Sequence, residues 1–249
     1  MAERTTILRI KRQDAPNTAG YWEEFELPYK PHHNVISMLM EIRRNPMTRN
    51  GKRTAAPVFD ANCLEEVCGS CTMVINGRVR QACSALAEGL PNPTTIEPMQ
   101  KFPVVRDLMV DRSRMFEALK KVHSWIPIDG TYDLGPGPRI SSEVQQFAYL
   151  FQRCMTCGCC LDACPQVNSH SDFMGAAVIG QAYLMGQHPT GKMHQDERIA
   201  ALMGEGGIAD CGNAQNCVEV CPKGIPLTTA IASIGRQATL KWLRNLFVK

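Results

Sequence analysis

Apolar and polar residues alternate along Thr6-Ile-Leu-Arg-Ile-Lys-Arg, the pattern of a strand with one buried face. A polar stretch through Asp14 and Gly20 turns the chain, and Tyr21-Trp-Glu-Glu-Phe-Glu-Leu returns as a second strand closed by Pro28. The period then lengthens. Val35, Met38, Leu39 and Ile42 recur at helical spacing until Asn45-Pro46, where a helix should stop. Thr72-Met-Val-Ile and Val79-Arg-Gln flank Asn76-Gly77, a strong hairpin signal, and Thr94-Thr-Ile-Glu supplies a last strand. This order predicts a β-grasp-like sheet crossed by one helix.

Beyond it the pattern is helical. Phe102-Pro-Val-Val-Arg-Asp-Leu leads into a helix with Ser113 as its cap and Met115, Leu119 and Val122 on one face. Gly135-Pro-Gly-Pro138 breaks the chain, and the spacing predicts helices over 142–152, 176–187, 194–203 and from Leu227 onward.

Cysteines change the picture most. Cys63-x4-Cys68-x2-Cys71, with Cys83 twelve positions on, has the plant-type [2Fe–2S] spacing. Cys154, Cys157, Cys160 and Cys164-Pro165 fit the bacterial run C-x2-C-x2-C-x3-C-P, whose fourth cysteine serves a second cluster. Cys211, Cys217 and Cys221-Pro222 repeat it, except that Ala214 stands at the second position. By the exchange rule Cys154, Cys157, Cys160 and Cys221 hold a [4Fe–4S] cluster. Cys164, Cys211 and Cys217 are left one thiolate short, which predicts [3Fe–4S]. Cys160 and Cys164 would serve different clusters although at most ~14 Å of chain separates them. The expected fold class is α+β: a β-grasp [2Fe–2S] ferredoxin-like domain over 1–125, a linker over 126–140, and a helical ferredoxin domain over 141–249.

Disulfides and structural zinc are the bland alternatives. The twelve cysteines crowd into three groups. The adjacent pair Cys159-Cys160 would be strained if bridged. Zinc gives no reason for a proline after both Cys164 and Cys221. Met1-Ala2-Glu3-Arg4 has no apolar run behind it, so a reducing cytoplasm is expected. A formal charge of +3 is too mild to argue for nucleic acid, and no stretch approaches the ~18 apolar residues of a membrane span. Cys159 fits no ligand register and is expected to be a buried small side chain. His32, His33, His123, His170, His188 and His194 form no pair with metal-ligand spacing. The end of the chain combines Arg236, Lys241, Arg244 and Lys249 with Leu240, Trp242, Leu243, Leu246 and Phe247, which suits either a solvated basic helix or a membrane partner.

With three cluster sites in this order, the chain resembles the iron–sulfur subunit of succinate dehydrogenase and fumarate reductase (respiratory complex II), most of all Gram-positive menaquinone-type enzymes. Phe102-Pro-Val-Val-Arg-Asp-Leu, Asp111-Arg-Ser-Arg-Met-Phe and Cys221-Pro-Lys-Gly-Ile-Pro belong to the resemblance, as does Ala214. It implies an FAD-containing flavoprotein partner, integral membrane anchor subunits with or without haem, and electrons passing to menaquinone or another quinone at the cytoplasmic face of the bacterial membrane. It implies no catalytic residue in this chain. Many quinone-reducing relatives place a Trp shortly after the Cys164-Pro165 position and a His after the Cys211 position. Here Gln166-Val-Asn-Ser169 and Gly212 stand there, so no quinone site is assigned. A fumarate reductase running the relay backwards, and a free ferredoxin-type carrier, are the other readings.

Overall fold

The alternation in the first strand decides which side chains enter the first core. In the computed structural model, which describes residues 4–126 and 139–247, β1 (Thr5–Arg12) buries Thr6, Leu8, Ile10 and Arg12. It pairs antiparallel with β2 (Tyr21–Pro28). α1 (Val35–Arg44) follows, capped by Asn34, whose side chain accepts from the Ser37 N–H while the Ser37 hydroxyl serves the cap backbone. Strands β3 (Thr72–Ile75), β4 (Arg78–Gln81) and β5 (Thr94–Glu97) complete the sheet in the order β2-β1-β5-β3-β4, with β1 and β5 parallel. Val35, Met38, Leu39 and Ile42 of α1 pack with Leu8, Ile10, Phe25, Met73 and Ile96 in one apolar core.

The stretch expected to lead straight into a helix instead makes a hairpin, β6 (Val104–Arg106) and β7 (Met109–Val110), turned by Asp107 at φ 49°. Asp107 is fully buried and meets Arg12, also fully buried: Arg12 Nε donates to Oδ1 at 2.8 Å and Nη2 to Oδ2 at 3.3 Å. The same carboxylate accepts from the backbone N–H of Gln13 and of Val58, at 3.1 and 2.9 Å. Arg12 also pairs with Glu23. One ion pair thus ties the hairpin to the sheet.

The helices belong to a second core. They are α2 (Ser113–Lys121), α3 (Ser142–Gln152), α4 (Cys159–Asp162), α5 (Ala176–Gln187), α6 (Gln195–Met203), α7 (Asn216–Glu219) and α8 (Leu227–Phe247). The ranges expected for α3 and α5 match, and a single 3-10 turn, Gly191–His194, leads into α6. α5 is buried nearly all round and is packed by α3, α6 and α8. Phe151 and Tyr183 meet at 4.9 Å between ring centroids at the α3–α5 contact.

The chain divides into two compact units: Met1–Arg112 with Met155–Asp162, and Ser113–Cys154 with Ala163–Lys249. Residues 113–125, expected with the first domain, therefore group with the second unit. The cause is Arg114, whose guanidinium donates to the carbonyls of Asn168, Ser171 and Phe173 at 3.3, 2.5 and 3.3 Å. Conversely, Met155–Asp162, including α4, groups with the first unit. The Gly135-Pro-Gly-Pro138 run of the expected linker lies outside the described residues.

Candidate metal centres

A chain that wraps a small inorganic cluster must turn its N–H groups inward, and residues 63–71 do so. Leu64, Glu66 and Gly69 take left-handed φ of 64°, 60° and 72°. The N–H groups of Glu65 and Val67 each point at Cys63 Sγ at 3.4 Å, and that of Ser70 at Cys68 Sγ at 3.5 Å. Burial would push the Cys68 thiol up, but hydrogen bonds from Ser70 and from Cys63 outweigh it and hold it down at about 6. Cys83 is pushed up to about 12, first by burial and then by its hydrogen bond to Cys71 and the charge there. The four thiols expected at the first cluster therefore interact, and the backbone already offers sulfur acceptors the donors a sulfide-bridged iron cluster needs. The residues present fit that group.

The loop over 155–158 packs against this one. A Cβ on Gly69 would lie 2.6 Å from the Met155 carbonyl oxygen and 2.8 Å from Cys157 Cα, which explains the glycine. Arg112 secures the meeting by donating to the carbonyls of Gly69, Ser70 and Cys157, at 2.6, 2.5 and 3.4 Å. Met99 and Phe102 close over Gly158. The hydrogen bond from Cys159 lowers the Cys157 thiol to about 7 against the effect of burial, and the Arg112 charge acts in the same direction. Cys159 itself is fully buried, as expected of the leftover cysteine. Of the thiols expected at the second cluster, Cys157 and Cys160 lie in the first unit and Cys154 and Cys221 in the second.

The third set is arranged differently. Cys164, Cys211 and Cys217 line one small cavity, and Ala214 lines it too. Burial raises the Cys217 thiol, and the charges of Cys164 and Cys211 add to it, so the three thiols face one another. Asn213 and Gln215 flank Ala214 at φ 51° and 63°, coiling the backbone around the cavity. Three thiols and one methyl around one cavity suit a cluster with three protein ligands. Gln166 and Gly212 are neighbours: a Cβ at 212 would fall 2.5 Å from Gln166 Nε2.

Several contributors carried no motif. Arg112 and Arg114 sit in Asp111-Arg-Ser-Arg-Met-Phe, where spacing gives no hint that one arginine holds the cluster loops of the first unit and the other the second unit's loop after Pro165. Gln81 did carry a signal: the alternation of β4 puts it on the inner face with Val79, where an apolar residue belongs, and it is fully buried. No spacing in the sequence pairs the histidines, yet His123 and His194 come within 6.5 Å between rings across residues far apart in the chain. Glu197 Oε2 lies 2.8 Å from His194 Nδ1 and 3.7 Å from His123 Nδ1. The hydrogen bond from His194 holds Glu197 below the usual carboxylate range. Buried Arg198 fixes both turns by donating to the carbonyls of His123, Trp125 and Gly191.

Residues 7–117 match the family model of a 2Fe-2S iron-sulfur cluster binding domain, and residues 150–225 that of a 4Fe-4S dicluster domain. Among curated relatives, the succinate dehydrogenase iron-sulfur subunit of Bacillus subtilis is 60% identical over 99% of this chain and 98% of its own. The fumarate reductase iron-sulfur subunit of Wolinella succinogenes is 29% identical, over 94% and 97%. That of Mycobacterium tuberculosis is 34% identical, over 76% of each. A chain of the Mycobacterium smegmatis Sdh1 complex in the apo form shares the fold, with a TM-score of 0.75 at 24% identity over 96% of this chain and 98% of that one.

Proposed function

Because this chain belongs to the family of iron–sulfur subunits of succinate dehydrogenase and fumarate reductase, we propose that its electron relay runs from the flavin of a flavoprotein subunit to a quinone through three clusters held by its own cysteines. It is a subunit of an oxidoreductase complex. In this proposal Cys63, Cys68, Cys71 and Cys83 hold a [2Fe–2S] cluster, and Cys154, Cys157, Cys160 and Cys221 a [4Fe–4S] cluster. Cys164, Cys211 and Cys217 hold a [3Fe–4S] cluster. When bound, such clusters take up and release one electron at a time. What the chain supplies is position, hydrogen bonds to sulfur and exclusion of water.

The observation that carries this reading is the cavity where three cysteines and Ala214 converge. Iron and sulfide analysis with low-temperature EPR tests it. The oxidised protein should show the [3Fe–4S] signal without added reductant, and a protein holding zinc or a single cluster type would overturn the assignment. The isolated chain should accept electrons and not oxidise succinate.

Two surfaces support the partners proposed. Leu64 and Val67 stand 45% and 53% exposed on the first cluster's loop, an apolar rim suited to the flavoprotein. α8 buries Leu227, Ala230, Ile234 and Ala238 and leaves Leu240, Trp242, Leu243, Leu246 and Phe247 exposed. No helix of the described residues is long and apolar enough to cross a membrane, so this end is proposed to dock on an integral anchor subunit at the cytoplasmic face. The 60% identity to a succinate dehydrogenase subunit favours succinate oxidation, with menaquinone or another quinone proposed as the acceptor. Purification of the native complex should bring down both the flavoprotein and the membrane subunit.

A further inference from the structure

Gln81 is fully buried between the two cluster loops of the first unit, and its amide touches sulfur at both ends. With both cysteines protonated, the Cys71 thiol donates to Gln81 Oε1 at 3.5 Å. Gln81 Nε2 donates to Thr72 Oγ1 at 2.8 Å and to Cys159 Sγ at 3.5 Å. Thr72 Oγ1 in turn lies 2.9 Å from both the Gly69 and the Cys157 carbonyl oxygens.

This pattern holds only while Cys71 keeps its proton. A cysteine that ligates iron is a thiolate, with lone pairs and nothing to donate. Cys71 Sγ and Gln81 Oε1 would then be two acceptors face to face in a buried site. Turning the amide by 180° resolves this without moving another heavy atom, since its oxygen and nitrogen have the same shape and opposite roles. One N–H of Nε2 then reaches Cys71 Sγ, and Oε1 accepts from the Thr72 hydroxyl and from the Cys159 S–H, which turns away from Cys157 and leaves the Cys159 backbone N–H as the donor there. The Gly69 and Cys157 carbonyls that Thr72 relinquishes keep Arg112 as donor. Cys159, in no ligand register, thereby acquires a role, because its S–H orients the amide.

We propose that Gln81 is a positioning residue that donates an N–H···S hydrogen bond to Cys71 in the cluster-bearing protein and raises the reduction potential of the [2Fe–2S] cluster. Reduction adds negative charge at the sulfurs, and a donor stabilises that charge more than it stabilises the oxidised state. The inference rests on the assignment of Cys71 as a ligand.

EPR-monitored redox titration of the assembled complex tests it. Gln81→Leu should make reduction of the first cluster about tenfold less favourable, roughly 59 mV for one electron, while the [3Fe–4S] signal and its potential stay put. Cys159→Ala should shift the first cluster the same way by less, and Cys159→Ser, which keeps a donor, should restore most of it. An unchanged or raised potential in Gln81→Leu overturns the inference. Should that variant lose its cluster, pulsed EPR on wild-type complex labelled with ¹⁵N-glutamine decides. Hyperfine coupling from a side-chain amide nitrogen to the reduced cluster supports the hydrogen bond, and its absence overturns it. A wild-type complex with no [2Fe–2S] signal, or a Cys71→Ser variant with an unaltered one, would instead defeat the ligand assignment.

Discussion

The two units solve the same problem, holding inorganic sulfur inside protein, by opposite means. In the first, the backbone supplies the donors: left-handed turns at Leu64, Glu66 and Gly69 aim N–H groups at Cys63 and Cys68. In the second, helices frame a cavity, and the pattern of side chains on its wall, three thiols and a methyl, is the message. A site made by backbone is tuned by geometry and breaks when a turn is lost. A site made by side chains on a frame can change its ligand number at one position.

The largest expected effect strikes what anchors the first unit. Asp107→Ala leaves Arg12 buried with Glu23 as its remaining carboxylate, and breaking a buried pair costs about 3–5 kcal/mol. Chemical denaturation of the cluster-bearing protein should show a loss of that order, and a loss below about 1 kcal/mol would mean that the ion pair is dispensable. Gly69→Ala comes next. Its left-handed φ costs about 1–2 kcal/mol for a residue with a Cβ, and here that Cβ also meets the backbone of Met155 and Cys157, which no rotamer change relieves. The [2Fe–2S] spectrum should be lost or strongly altered while the [3Fe–4S] signal survives; an untouched first cluster would show that backbone geometry does not rule this site.

Ala214→Cys makes the converse test, with little cost in stability and a change in kind. It supplies a fourth thiol to the cavity wall, so the oxidised-state [3Fe–4S] signal should fall as a four-iron cluster forms. Persistence of the full signal would mean that position 214 does not face the vacant corner. The smallest effect is electrostatic. Asp196 on α6 is held below the usual carboxylate range by its hydrogen bonds from Arg244 and then Lys241 on α8. A depressed carboxylate stabilises the fold above its unfolded-chain pKa, and that contribution is lost as pH falls through the folded value. The group is exposed, so the difference is slight. Wild-type protein should lose slightly more melting temperature than Arg244→Ala between about pH 7 and about pH 3, and equal losses would leave the α6–α8 contact without an electrostatic part.

Most of the scaffold was readable because each element repeats one simple rule. Alternation located β1 and β2, Asn-Gly located the β3–β4 turn, and helical spacing set α3 and α5 to the residue. Cysteine spacing singled out residues 63–71, whose short intervals leave the backbone few ways to turn. What spacing could not carry is long-range. The β6–β7 hairpin is too short for a period to form, and the partners of Asp107 at its turn, Arg12 and Val58, lie ninety-five and forty-nine positions away. His123 and His194 meet because Arg198 ties together two turns that no local pattern connects.

The grouping of Met155–Asp162 with the first unit has a consequence for biosynthesis. A ribosome delivers the sheet, its helix and the first four thiols long before it delivers the segment that fills the face of Gly69 and gives Arg112 one of its acceptors. Until then the nascent sheet carries an open seam, with Thr72 and Gln81 short of their partners. Cutting the gene after residue 112 would make that condition permanent. Assembly machinery that loads the first cluster on the emerging chain would therefore act on an unsealed intermediate, and closing the seam would lock the cluster in.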